Sequence, residues 1–396
     1  MLKSFRRIET TLFEASLNRN LLFIALSLFT WGIGEGMFFN FAPIYMEELG
    51  SDPQQIGVIL GAFGASMAIT HIPAGRLADR FGRKPLLLTA WALGLAATVI
   101  MALARDLEWF VVGMLIYGLT AFVSSPLSSY MTAARGNWTV AQTLTLTTAT
   151  FSFGMVFGPA LGGWIGDLFG LRTVYMVAAG IFVVSNVIIQ FIGHQPIEHH
   201  DPESPPVGLL SNVRFLNFLV VVALAVFAMY LAQPLTPNFL EGVRGLSLSE
   251  VGVVFTAGAL GNALVSILLG RFPPRIGYPI SQMLVGLFAL LMWRGAGLPL
   301  FALGYFLMGG FRAARPLALA QARELVHDSQ LGVTYGTMET VSAFIFILTP
   351  PLAGFLFERD PYLVYPIAIG LIAFSIVIST IFAPRHQPLN TGTPHA

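Results

Sequence analysis

Four charged side chains lie inside apolar stretches that are long enough to cross a membrane, and they are the residues best placed to do chemistry. Glu35 follows a glycine-rich run, Arg312 and Arg315 are three residues apart, and Glu339 lies in the next apolar stretch. A charge at bilayer depth costs at least ~2.5–3.5 kcal/mol on insertion scales. We therefore expect these charges to face a cavity or a partner.

Glu35 has no opposite charge close to it in sequence. A carboxylate removed from water binds a proton more readily, so it can take up and release one during a functional cycle. We expect Glu35 to be a proton-coupling acid, with Glu339 as the second candidate. Two plainer interpretations stay open: Glu35 bonded to backbone at a kink, and a structural ion pair between Glu339 and Arg312 or Arg315.

The composition of the 396 residues explains why these charges stand out. The chain is 55% hydrophobic and only 10% charged, whereas a soluble domain carries roughly 25% charged residues. Its solvent must therefore be mostly lipid. The net charge of +1 argues against nucleic acid as a partner. The absence of cysteine excludes disulfides and thiolate metal sites. No phosphate-binding loop, zinc spacing or nucleophile elbow indicates an enzyme, a metal site or a cofactor.

The apolar stretches predict an all-α polytopic membrane protein with twelve helices. A polar, proline-rich segment, 194–213, divides them into six-helix halves at 20–193 and 214–383. Residues 1–19 are expected to form an amphipathic segment on the membrane surface and 384–396 a cytoplasmic tail. The predicted helices are 20–45, 55–75, 86–104, 109–132, 142–166, 171–193, 214–238, 250–270, 279–297, 299–322, 331–356 and 361–383.

The two halves resemble each other at an offset of 195 residues. Gly50 aligns with Gly245 and Gly82 with Gly277, whereas Asp79 aligns with Pro274. Parallel repeats of this kind are typical of transporters with a central site between the halves. Fourteen Lys and Arg residues fall on the side of the termini and five on the opposite side. The positive-inside rule therefore predicts that both termini are cytoplasmic.

Two motifs are more specific than composition. The segment Gly75–Lys84 contains two glycines that allow a tight turn, an acid that suits a helix N-terminus, and a basic cluster that favours the cytoplasmic side. In the predicted fifth helix, small residues four apart permit close helix packing, and a proline bends the helix. A weaker copy of this second motif lies at Pro350–Gly354. The motif residues are Gly75, Asp79, Arg80, Gly82, Arg83 and Lys84, and Gly154, Gly158, Pro159, Gly162 and Gly163.

These motifs resemble motifs A and C of the major facilitator superfamily, and the resemblance covers nearly the whole chain. It implies that Asp79, with Arg80 and Arg83, forms a conformational latch. Motif C is typical of proton-coupled drug antiporters, which implies export. In the family, helices 1, 4, 7 and 10 line a central cavity. The candidate lining residues here are Trp31, Phe38, Asn40, Tyr117, Ser124, Tyr230, Gln233, Asn238, Tyr305, Arg312 and Arg315.

The favoured hypothesis is proton-coupled efflux of small amphipathic or hydrophobic compounds by a monomer in a bacterial-type plasma membrane. Its partners would be the substrate, protons and lipid. Two cavity arginines favour an anionic or amphipathic substrate, unless Glu339 neutralises them. Uptake or uniport of a sugar or organic metabolite, and a sensor that binds ligand without flux, remain as alternatives.

Overall fold

The described residues fold into twelve helical segments, α1–α12, joined mostly by short turns. In the computed structural model, α1–α6 form a first half and α7–α12 a second half. The described residues are 18–136, 138–194, 212–326 and 331–382, without the side chains of 71–81, 125, 140, 141 and 331–333. The segments comprise α1 (Arg19–Phe38 and Ala42–Glu48), α2 (Pro53–Phe81), α3 (Arg83–Leu103), α4 (Leu107–Leu119 and Ser124–Ala133), α5 (Val140–Phe169), α6 (Leu171–Gln190), α7 (Val213–Leu231 and Thr236–Asn238), α8 (Leu248–Leu269), α9 (Pro274–Arg294), α10 (Leu298–Leu307 and Gly309–Arg323), α11 (Leu331–Arg359) and α12 (Val364–Ile381).

This architecture confirms the predicted all-α membrane fold. Within the described residues, ten helices are long and apolar enough to cross a membrane. The other two, α2 and α10, lie between spanning neighbours and complete the set of twelve. We call the end of the bundle at Arg19 the near side and the end at Glu48 the far side. Most of the predicted amphipathic segment, linker and tail lies outside the described residues.

The predicted loop Gly75–Lys84 is mostly helical, which corrects its expected boundary. α2 continues to Phe81, and α3 begins at Arg83. Gly82 alone makes the turn, with a φ of 82°, a backbone conformation that glycine adopts without steric cost. Gly75 therefore lies inside a helix rather than at a turn. The basic residues that made the segment look like a loop are equally compatible with a helix that extends beyond the lipid.

Four of the described segments, α1, α4, α7 and α10, are interrupted along their length. α1 contains the 3₁₀ turn Phe39–Phe41 and α4 the 3₁₀ turn Thr120–Val123. α7 stops at Leu231 before it resumes, and α10 breaks at Met308. Irregular backbone at membrane depth is tolerated where protein or a water-filled cavity satisfies its polar groups. The interruptions therefore fall on the four helices expected to line the cavity.

The glycines of the predicted motif bring α5 into backbone contact with α1. A Cβ on Gly158 would lie 2.5 Å from the carbonyl oxygen of Ile33 and 2.6 Å from the Cα of Gly36. A Cβ on Gly154 or Gly162 would also meet α1 backbone. Since lipid is as apolar as the side chains, such close packing is what holds membrane helices together.

The next residues of α5 contact the second half. A Cβ on Gly163 would meet the backbone of Leu248, and one on Gly252 would lie 2.5 Å from the carbonyl oxygen of Pro159. α2 and α11 cross in the equivalent way, where Gly354 meets the backbone of Pro53. These crossings join the two halves toward the far side.

We expect Gly158→Ala to destabilise the protein by about 1–3 kcal/mol, because neither backbone neighbour can move aside. Gly180→Ala on α6 is the matched control, since nothing lies within 4 Å of its added Cβ. Both changes gain the same helix propensity. Thermal unfolding in detergent should show a lower midpoint for Gly158→Ala only. Equal midpoints would show that the α1–α5 contact contributes nothing.

Candidate functional site

Glu35 lies at the centre of a hydrogen-bonded cluster formed with α4. The Tyr117 hydroxyl donates to Glu35 Oε2 at 2.7 Å, and Trp31 Nε1 donates to the same oxygen at 3.0 Å. Trp31 Nε1 also lies 3.1 Å from the Tyr117 hydroxyl oxygen. The carboxylate is therefore held by two side chains rather than by backbone at a kink. Its second oxygen, Oε1, accepts no hydrogen bond from the described residues.

Aromatic rings hold the donors of this cluster in place. Trp31 stacks on Phe182 with ring centroids 4.3 Å apart, and Phe38 meets Tyr117 edge-on at 5.4 Å. All four rings are buried. Packed rings leave few alternative rotamers, so the donors stay aimed at the carboxylate. Two predicted cavity residues, Trp31 and Tyr117, thus bond Glu35, and a third, Phe38, packs against Tyr117.

The second half contributes one ion pair and one unpaired cation. Arg315 Nε lies 2.7 Å from Glu339 Oε1, and the two side chains are 69% and 45% exposed. This is one of the two pairings left open by the sequence. Arg312 makes no ion pair with any described carboxylate. Its side chain is exposed. Glu339 therefore neutralises Arg315 and leaves the charge of Arg312 available.

Arg312 and Glu35 lie in opposite halves, on α10 and α1. Their charges are close enough to interact, although one lies on α10 and the other on α1. Exposed charges at this depth would be costly in lipid. We therefore expect Arg312, Arg315 and Glu339 to line a polar cavity between the halves, with Glu35 on the opposite wall.

The other predicted cavity residues fall into two groups. Asn40 and Gln233 are half-buried near the helix interruptions, Ser124 is exposed beside one, and Tyr230 stacks on Phe311 at 5.8 Å. Asn238 and Tyr305, in contrast, are buried. Tyr305 packs between rings of α8 and α9, and Asn238 belongs to the far-side contact described next.

The far side is closed by polar contacts that the sequence did not indicate. Asp167, at the end of α5, accepts hydrogen bonds from the backbone nitrogens of Leu248 and Ser249, each at 2.8 Å. The carboxylate thus caps the N-terminus of α8 in the other half, where negative charge is favoured. The Asn238 amide donates to the carbonyl oxygen of Pro43 at 3.0 Å and also bonds Glu47.

Comparison with known proteins places this architecture in a family. The family model described as Major Facilitator Superfamily matches residues 24–278 and 218–395. The chain belongs to the Major Facilitator Superfamily. It is 21% identical over 390 residues to Multidrug resistance protein 1 of Bacillus subtilis (strain 168), covering 94% of this chain and 99% of that protein. It is 21% identical over 388 residues to Quinolone resistance protein NorA of Staphylococcus aureus (strain Mu50), covering 92% and 97%.

A solved structure agrees on the fold. The nucleoside transporter NupG superimposes with a TM-score of 0.76 at 15% identity, over 91% of this chain and 98% of the other. Because it belongs to the Major Facilitator Superfamily, the protein is a multi-pass membrane transporter of small molecules and not an enzyme. Membership of this superfamily confirms the resemblance drawn from the two motifs.

The superfamily's motif A is only partly within the described structure. Gly75, Asp79 and Arg80 lie on α2, but their side chains are outside the described residues. Gly82 makes the turn, and Arg83 and Lys84 begin α3 as half-buried residues. The latch assigned to Asp79 therefore remains a prediction.

Removing the cap at Asp167 should favour the state in which the far side is open. A helix cap is worth about 0.5–2 kcal/mol, or roughly a 2- to 30-fold change in populations, and the exposure of Asp167 favours the lower end. Asp167→Ala should shorten the near-side distance between spin labels at Arg135→Cys and Arg275→Cys. The chain has no cysteine, so only these two positions are labelled.

Asp106→Ala is the matched control for this measurement. Asp106 caps α4 within the first half by accepting from the backbone nitrogen of Trp109 at 2.9 Å. Its loss removes the same kind of hydrogen bond without touching a contact between the halves. If both variants gave the wild-type distance distribution, Asp167 would have no influence on the conformational balance.

Proposed function

We propose that this protein is a proton-coupled exporter of small amphipathic or hydrophobic compounds. The observation that carries the proposal is the position of Glu35. Its carboxylate is half-buried at membrane depth, is held by Tyr117 and Trp31, and borders the cavity between the halves. A carboxylate in such a place can exchange a proton with the cavity, because neither donor carries a compensating charge.

Export rather than uptake is supported by two observations. The glycine motif of α5 is of the type found in drug antiporters of the superfamily. The relatives that match nearly the full chain carry names of multidrug and quinolone resistance proteins. At this level of identity, such names support a substrate class of small amphipathic compounds and do not specify a single substrate.

The proposed cycle is alternating access by rocking of the two halves. In the present state polar contacts close the far side, and we propose that the cavity opens to the near side, where substrate would enter and Glu35 would lose its proton. In the other state Glu35 would be protonated from the far side as substrate leaves. The bias of Lys and Arg toward the near side supports a cytoplasmic near side in a bacterial plasma membrane. We propose a monomer as the functional unit.

Glu35→Gln should abolish transport driven by a pH gradient, because an amide cannot take up and release the proton. In proteoliposomes loaded with a fluorescent amphipathic dye, we expect gradient-driven flux to fall at least tenfold. Exchange of dye at equal pH should persist. Persistence of gradient-driven flux in this variant would rule out Glu35 as the coupling acid.

Two further variants make this assay specific. Glu358→Gln, at an exposed position at the end of α11, should transport as the wild type does. Glu339→Gln tests the second candidate acid. Since Glu339 is paired with Arg315, we expect gradient-driven flux to survive its loss. Dye binding without flux in the wild type would favour a sensor, and flux that is insensitive to pH would favour a uniporter.

Asp79→Asn should weaken the proposed near-side latch and increase the near-side-open population. The spin-label pair at Arg135→Cys and Arg275→Cys should then report longer distances, opposite to the change expected for Asp167→Ala. Substrate affinity should change less than the distance distribution, because the proposed role is conformational. A large loss of binding in a state-locked background would instead place Asp79 in the substrate site.

A further inference from the structure

Arg312 is a cation in the cavity without an anionic partner of its own among the described residues. Arg315, three residues later on α10, bonds Glu339 at 2.7 Å. No described carboxylate lies within 4.0 Å of Arg312. A guanidinium is always charged and presents a planar fork of donors that matches a carboxylate. At this depth in the membrane, an unpaired guanidinium is a binding site for an anion that enters the cavity.

On the opposite wall, Glu35 has a carboxylate oxygen that can accept a hydrogen bond from a ligand. Tyr117 and Trp31 both donate to Oε2, so Oε1 remains free to accept from a ligand. Glu35 belongs to the first half and Arg312 to the second, and their charges interact across the space between them. A ligand between the halves therefore meets an anion on one side and a cation on the other.

Three aromatic rings from α7, α10 and α11 pack together in the same half as the cation. Tyr230 stacks on Phe311 at 5.8 Å and meets Phe346 edge-on at 4.9 Å, and all three rings are half-buried. Phe311 directly precedes Arg312 in α10. These rings offer an apolar surface to the body of a ligand whose charged groups reach the two walls.

We propose that the preferred substrates are aromatic zwitterions, whose carboxylate binds Arg312 and whose ammonium group binds Glu35. This inference deepens the proposed function and rests on it for the role of the cavity. Such a ligand gives each wall charge a partner and leaves the occupied cavity neutral, which lowers the cost of enclosing it. The ammonium group would compete with the proton for Glu35, as exchange of substrate for proton requires.

A matched set of four probes tests this assignment through binding. The probes are 6-(aminomethyl)-2-naphthoic acid, its methyl ester, its N-acetyl derivative and the N-acetyl methyl ester. They share one aromatic frame and carry both charges, only the cation, only the anion or neither. Binding to the purified full-length protein in detergent at neutral pH is measured by calorimetry. The variants are Arg312→Gln, Arg312→Lys and Glu35→Gln, with Arg275→Gln at the exposed start of α9 as control.

The wild type should bind the zwitterion most tightly. Arg312→Gln should weaken the two carboxylate probes about tenfold, the effect of losing a charge-assisted hydrogen bond, and leave the two esters within about twofold. Glu35→Gln should do the same to the two amine probes. Arg312→Lys should keep part of the preference for carboxylates. This variant also provides a test if Arg312→Gln does not fold. Arg275→Gln should change nothing.

Equal weakening of all four probes in Arg312→Gln would overturn the assignment. In that case Arg312 and Glu35 would serve as partners of each other in closing the cavity. Unchanged carboxylate binding would overturn it as well. Because these measurements need neither flux nor a pH gradient, they separate the substrate class from the coupling mechanism. A variant series with the expected charge selectivity but no gradient-driven transport would sink only the proposed function.

Discussion

The backbone contact between α1 and α5 determines how the rest of the molecule can be arranged. Gly32 and Gly36 on α1 meet Gly154 and Gly158 on α5 with no room for a Cβ. In lipid, where apolar side chains gain little by leaving their solvent, such fit is a main source of association between helices. The contact fixes the rotation of α1 and so directs Glu35 away from α5 and toward Tyr117 on α4.

The adjoining face of α5 extends the same constraint to the second half. Pro159 and Gly163 pack against α8, and Asp167 caps the first residues of that helix. One helix therefore determines both the surroundings of the buried carboxylate and the closure of the far side. Both contacts lie on one continuous helix of 30 residues, so a rotation of α5 at the far side is felt where it contacts α1.

The helices, the glycine contact and the four membrane charges were predictable because each leaves a local signal. Apolar length and glycine spacing can be read within about 20 to 30 residues. The pairing of Glu35 with Tyr117, 82 residues apart, has no such signal, since it depends on the rotation of two helices about their axes. The same holds for Asp167 and α8. The length of α2 was misjudged because charged residues end the lipid-embedded part of a helix without ending the helix.

The internal repeat is imperfect at the contacts that join the halves. Pro350 and Gly354 of α11 take the places of Pro159 and Gly163, so the two crossings share their backbone packing. Both helices that begin at these crossings have their own cap: Gln55 N donates to Asp52 at 2.7 Å on α2, and Glu250 N donates to Ser247 at 3.3 Å on α8. Among the described contacts, only α8 receives an additional carboxylate from the opposite half. Duplication has thus kept the steric fit and left the polar contacts free to diverge.

The charges in the cavity are divided between the halves, and this division has an energetic consequence. Glu35 moves with the first half and Arg312 with the second, so any rocking motion changes the separation of two opposite charges in a medium that solvates them poorly. The free energy difference between the two states then depends on what neutralises each charge. A proton on Glu35 removes the attraction between the two side chains. A ligand with a single charge neutralises only one of them. The occupancy of the cavity and the position of the halves are therefore coupled through the same two side chains, without a separate transmission pathway.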